Sequence, residues 1–109
     1  MTVEKFAKDL GFEVVCMPDG DREVNGAYIG DLLSWVMGRA GQDNVWITIM
    51  SNLNIVAVAT LSDVSCILLA EGVRLDDEVR RVAEEKSVNV LSTSLSAYAT
   101  ASLISKTLC

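Results

Sequence analysis

Three short, largely apolar runs, residues 45–50, 64–69 and 88–91, constrain the fold of this chain more than any other feature. The first, Val45-Trp46-Ile47-Thr48-Ile49-Met50, is apolar at both alternating sets of positions, as a strand covered on both faces requires. The segment between the first two runs, residues 55–61, is apolar all round, so periodicity alone fits either a helix or the arm of a hairpin. A helix is the reading adopted, because a helix between two buried strands makes the right-handed crossover of a parallel sheet. Before the third run, Asp76-Asp77-Glu78 place negative charge at a helix start. Val79, Val82 and Ala83 mark the inner face of that helix, while Arg80, Arg81, Glu84, Glu85 and Lys86 solvate the outer one. After the third run, residues 92–94 read as a capping loop. Residues 95–108 read as a last helix, with Leu95, Tyr98, Ala99 and the pair Ala101/Ser102 near one stripe. The order β-α-β-α-β-α predicts an α/β domain of layered βα repeats around a largely parallel sheet of about 4–5 strands.

The amino-terminal part adds elements to the same layers. Val3, Phe6, Ala7 and Leu10 fall at i, i+3, i+4 and i+7, with Thr2 as N-cap and Gly11 beyond the end, which predicts a short amphipathic helix. Residues 12–16 predict a strand, Pro18-Asp19-Gly20 a turn, and residues 23–29 a second strand with Gly26 as a bulge. Asp31 as N-cap and Gly41 as terminator frame a helix over residues 32–40 whose core face holds Leu33, Val36, Met37 and Ala40. Trp35 lies about 200° from Leu33 at ~100° per residue, off that stripe, and is the candidate for contact with a partner.

With 109 residues the chain is expected to form a single domain over 1–109. It has no histidine, which excludes Ser-His-Asp and Cys-His nucleophile pairs, imidazole shuttles and every His-containing metal site. The net charge is −6 and the longest basic block is Arg80-Arg81, so neither nucleic acid nor an anionic membrane is an expected partner. Cys16, Cys66 and Cys109 form no CxxC and no close ligand pair, so no metal site is expected. Cys16 and Cys66 lie in apolar runs and are expected to be buried, whereas Cys109 is expected to be an exposed thiol. An odd cysteine count without a leader-like start predicts a cytoplasmic protein. Residues 54–70 are interrupted by Thr60, Ser62, Asp63 and Ser65, so no membrane span follows from them.

The four lysines follow Glu, Ala, Glu and Ser, never glycine, which excludes a P-loop. Gly26 and Gly30 are wrongly spaced for a dinucleotide fingerprint. What remains are four strand-to-helix loops: Gly30 and Asp31; Ser51, Asn52 and Asn54; Glu71 and Gly72; Ser92 and Thr93, followed by Ser94. Backbone N–H groups at helix starts can hold a small anion or a nucleotide without a lysine, and together the loops could line one shallow pocket. The same residue types are also what caps and turns require. Acid-base chemistry would fall to Asp31, Asp63 or Glu71, which no spacing pairs. No catalytic residue, no enzyme activity and no cofactor are therefore expected.

The segment Ile47-Thr48-Ile49-Met50-Ser51-Asn52-Leu53-Asn54-Ile55-Val56-Ala57-Val58-Ala59 and the strand Ile67-Leu68-Leu69-Ala70-Glu71-Gly72 resemble the DRTGG domain. So do Gly26-Ala27-Tyr28-Ile29-Gly30-Asp31-Leu32-Leu33-Ser34 and the stretch from Asp77-Glu78-Val79 to Val88-Asn89-Val90-Leu91-Ser92-Thr93. The likeness runs from about residue 24 to about residue 105. Where the family's name records Asp-Arg this chain has Ser51-Asn52, and where it records Thr-Gly-Gly it has Ala70-Glu71-Gly72. The resemblance implies a fold similar to the amino-terminal domain of HPr kinase. It also implies a dimerising, non-catalytic regulatory module of the kind found beside CBS domains in regulated pyrophosphatases and within phosphotransacetylases. Two functions follow as expectations: a homodimeric sensor of a small anionic or nucleotide ligand, or a protein-interaction subunit without one.

Overall fold

The computed structural model describes residues 1–108; Cys109, expected as an exposed thiol, lies outside them. The order is α1 (Val3–Leu10), β1 (Glu13–Cys16), β2 (Gly26–Ile29), α2 (Leu33–Arg39), β3 (Asn44–Thr48), α3 (Asn54–Ser62), β4 (Cys66–Leu69), α4 (Asp77–Glu85), β5 (Val90–Ser92) and α5 (Ala97–Leu108). The sheet runs β1-β5-β4-β3-β2; β2 to β5 are parallel and β1 pairs with β5 antiparallel.

Alternation along the strands builds two cores. Val45, Ile47, Cys66, Leu68 and Leu91 point to one face, where Val3 and Phe6 of α1 and Ile104 of α5 cover them. Trp46, Ile67, Leu69 and Val90 point to the other, under Val36 of α2, Ile55 and Ala59 of α3, and Val79 and Ala83 of α4. The central strands are thus covered on both faces, the arrangement that their unbroken apolar runs require. Residues 54–62 form the crossover helix rather than a hairpin.

Four local expectations are corrected. Gly26 is no bulge: it opens β2 in register with Asn44, and the irregularity lies in β1 between Val14 and Cys16, on an edge strand where bulges concentrate. Asp31 does not cap α2, whose N-cap is Leu32 without a side-chain bond, and the helix ends at Arg39 against Ala40. Met37 is about half exposed although assigned to the core face, because α2 overlies the edge of the sheet and only Val36 is fully enclosed. In α5 the stripe is shifted. Leu95 precedes the helix and Tyr98 is 84% exposed, while Ala97, Thr100, Ala101, Ile104 and Leu108 face the core. The sequence phase was set by Leu95, whose carbonyl instead accepts the Glu71 N–H at 2.8 Å in the preceding loop.

Cys16 and Cys66 are buried free thiols, as expected. Burial pushes the Cys66 thiol up to about 12 from the ordinary 9.0 and also raises that of Cys16. A thiol whose native pKa is raised contributes stability that is complete below the unfolded value and lost as pH rises through the native one. Stability should therefore decline between about pH 9 and 12 as unfolded thiols ionise and Cys66 does not. Denaturant titrations at about pH 8 and about pH 10.5, on either side of the onset, check this: the drop should be smaller in Cys66→Ala. Equal drops would contradict it.

Candidate functional site

All four candidate loops leave the carboxyl edge of the sheet in the order of their strands, and hydrogen bonds link neighbouring loops. In the first pair, Asp31 accepts from the Thr48 hydroxyl at 2.8 Å and from the Ile49 N–H at 2.9 Å. The Thr48 hydroxyl in turn accepts the Met50 N–H at 3.2 Å. Gly30 donates to the Ile47 carbonyl, and its own carbonyl accepts the indole N–H of Trp46. Asn52 accepts the Asn54 N–H at 2.9 Å, an Asx turn that opens α3. Asp31 and Asn52 thus each accept hydrogen bonds that hold the loops, while Asp31, Asn52 and Asn54 remain exposed.

In the second pair, the Glu71 and Gly72 N–H groups donate to the carbonyls of Leu95 and Thr93, at 2.8 and 2.9 Å. The two loops are thereby stapled together. The backbone donors expected to be open at Glu71 and Gly72 are already used. Glu71 and Gly72 both have left-handed φ, 61° and 73°. A non-glycine residue there costs about 1–2 kcal/mol, and glycine's extra freedom in the unfolded chain offsets part of any relief. Glu71→Gly should therefore stabilise the chain by about 0.5–1 kcal/mol, read as a higher urea midpoint with an unchanged slope; a lower midpoint would contradict it.

Beside this staple lies a cleft of about 330 Å³ lined by Glu13, Val14 and Val15 of β1, by Gly72, Val73, Arg74 and Leu75, and by Ser92, Thr93 and Ser94. Because β1 runs antiparallel to β5, Glu13 pairs with Ser92 and brings the start of β1 to the same carboxyl edge. Val15, Val73 and Leu75 pack down onto the α4 side of the core, which leaves Arg74 between them at the surface. Arg74 takes part in no ion pair among the described residues. The Thr93 hydroxyl accepts the Leu95 N–H at 3.2 Å, which fixes its orientation.

The cleft thus gathers Gly72, Ser92 and Thr93 of the expected residues and leaves Gly30, Asp31, Ser51, Asn52, Asn54 and Glu71 outside its lining. The cleft lies over the second pair of loops, whose backbones hydrogen-bond to each other, and not over the first. Sequence reasoning missed Arg74, although it is the sole Lys or Arg in any of the four loops. Asp63 lies at the opposite end of the sheet, where Arg22 donates to it at 2.7 Å and to Asp43 at 3.0 Å. Among the described residues no three His, Cys, Asp or Glu side chains are grouped to hold a metal, and no helix is long and apolar enough to cross a membrane.

A family model, the DRTGG domain, matches residues 5–107. No curated protein matches the chain. Among solved structures, the chain is similar to a crystal structure of the CBS and DRTGG domains of the regulatory region of Clostridium perfringens pyrophosphatase, complexed with the activator diadenosine tetraphosphate. The TM-score is 0.72 at 14% identity, and the match covers 94% of this chain and 45% of that one. At that identity the likeness is one of fold, and the chain spans less than half of the neighbour's length.

Proposed function

The chain belongs to the DRTGG domain family, and from that membership we propose that it acts as a non-catalytic, cytoplasmic regulatory domain that dimerises and binds a nucleotide. The observation that carries the ligand is Arg74, an exposed guanidinium without a carboxylate partner among the described residues, lining one cleft with Ser92, Thr93 and Ser94. A guanidinium beside hydroxyls suits a phosphate group. Glu13 on the same cleft suits a ligand that carries donors next to its phosphate, as ribose hydroxyls or a base amine do. Its volume is at the small end of the ~300–1,000 Å³ typical of ligand pockets, which favours a mononucleotide over a dinucleoside polyphosphate. That the neighbouring regulatory region takes a nucleotide activator supports the class of ligand.

Thermal shift across nucleoside mono-, di- and triphosphates, with inorganic phosphate as comparison, tests the reading. A nucleotide at a hundredfold excess over its Kd should add about 2.7 kcal/mol of stability. Stabilisation by no nucleotide, or by inorganic phosphate equally well, would overturn it.

A second reading, a protein-interaction subunit, is favoured by α2. There Leu32 and Trp35 are 60% and 54% exposed, and the Arg39 guanidinium stacks 4.0 Å from the Trp35 ring centroid. Such a flat aromatic surface, held by a cation, is the kind of anchor that protein interfaces use.

A further inference from the structure

The two edges of the sheet are protected unequally. β1 carries Glu13 and a register break between Val14 and Cys16, both devices that discourage further strand pairing. β2, Gly-Ala-Tyr-Ile, has no charge, no proline and no bulge, and pairs in unbroken register with β3 on its inner side alone. The Gly30 N–H donates to Ile47 of β3, so by alternation Ala27 and Ile29 turn their N–H and C=O groups to the outer side. Their side chains line an apolar groove of about 270 Å³ against α5, closed by Ile47, Ala101, Ile104 and Leu108, and Ile29 is 47% exposed.

Charge selects the occupant. The chain carries −6, and two copies repel across surfaces such as α4, where Asp77, Glu78, Glu84 and Glu85 outnumber Arg80 and Arg81. Among the described residues, neither β2 nor the lining of its groove carries a charge. A second copy of an acidic chain meets least repulsion there, and a strand pairing antiparallel with its own two-fold mate is self-complementary.

Resting on the dimerisation proposed above, we propose that two copies of this chain join β2 to β2 across a two-fold axis, continuing the sheet and covering the groove beside α5. Ile29→Lys puts a charge on the exposed edge, and Ala27→Pro removes an outward N–H without touching the bonds to β3. Sedimentation across micromolar concentrations should show the parent chain as a dimer. Each edge variant, its fold confirmed by circular dichroism, should weaken that dimer by about tenfold or more, whereas Trp35→Ser should leave it intact. In the parent chain the Ala27 and Ile29 amides should exchange more slowly as concentration rises; this readout decides the matter if a variant does not fold.

A dimer unaffected by either edge change, with edge amides unprotected, would overturn the edge assignment and leave dimerisation standing. Loss of the dimer in Trp35→Ser alone would move the interface to α2. A chain monomeric at every concentration would overturn both dimerisation and its surface, while the nucleotide titrations judge the ligand independently.

Discussion

Replacing Asn89 with leucine is expected to lower stability by about 3–5 kcal/mol, although the two side chains are of similar size. Asn89 is 1% exposed and uses both ends of its amide. Its Nδ2 donates to the carbonyls of Asp19 at 2.8 Å and Ser65 at 2.9 Å, and its Oδ1 accepts the Asp19 N–H at 2.9 Å. The turn after β1 is thereby fastened to the segments entering β4 and β5. Leucine removes three bonds and strands polar backbone groups in a water-poor site, where each unsatisfied group costs ~1–3 kcal/mol. The measurement is urea unfolding, with a lower midpoint and an unchanged slope. A loss below about 1 kcal/mol would show that water replaces the amide and that the turn is not held by it.

Arg74→Ala is expected to weaken nucleotide binding by about tenfold or more, since a hydrogen bond to a charged group contributes ~1.5–3 kcal/mol and the exposed guanidinium sits at the low end of that range. Stability should change by no more than about 0.5 kcal/mol, because the side chain is exposed and takes part in no ion pair among the described residues. Arg74→Lys should recover part of the affinity, as a point charge without the planar fork. Titration calorimetry reads all three. Unchanged affinity in Arg74→Ala would remove the arginine from the site.

The fold was legible where burial repeats along an element. The runs that became β3, β4 and the start of β5 are apolar at both alternating sets of positions because helices cover both faces, and with helices between them they implied a parallel sheet. It was less legible where long-range contacts decide. The phase of α5 depends on Leu95 being held in a loop by Glu71, and no helical periodicity carries that information. Asp31 has the residue type of an N-cap, but Thr48 and Ile49, seventeen and eighteen residues away, compete for its carboxylate and win.

The candidate site divides in the same way. Ser92, Thr93 and Gly72 were accessible from the rule that α/β sheets bind ligands beyond the carboxyl ends of their strands. Glu13 was not, since it reaches that edge only because β1 runs against β5, and strand direction is not written in a four-residue run. Arg74 belongs to no motif. Its signal is positional: a lone cation between Val73 and Leu75, two apolar residues that pack into the core and force it outward.

The most direct test of the nucleotide-binding role is an amide chemical-shift map of the chain titrated with the nucleotide that stabilises it best. The proposal predicts saturable shifts concentrated at Gly72, Val73, Arg74 and Ser92 to Ser94, with Glu13 beside them, and none at the Arg22–Asp63 end of the sheet. Shifts centred on Gly30, Asp31 and Asn52, or no saturable shifts with any nucleotide, would contradict it.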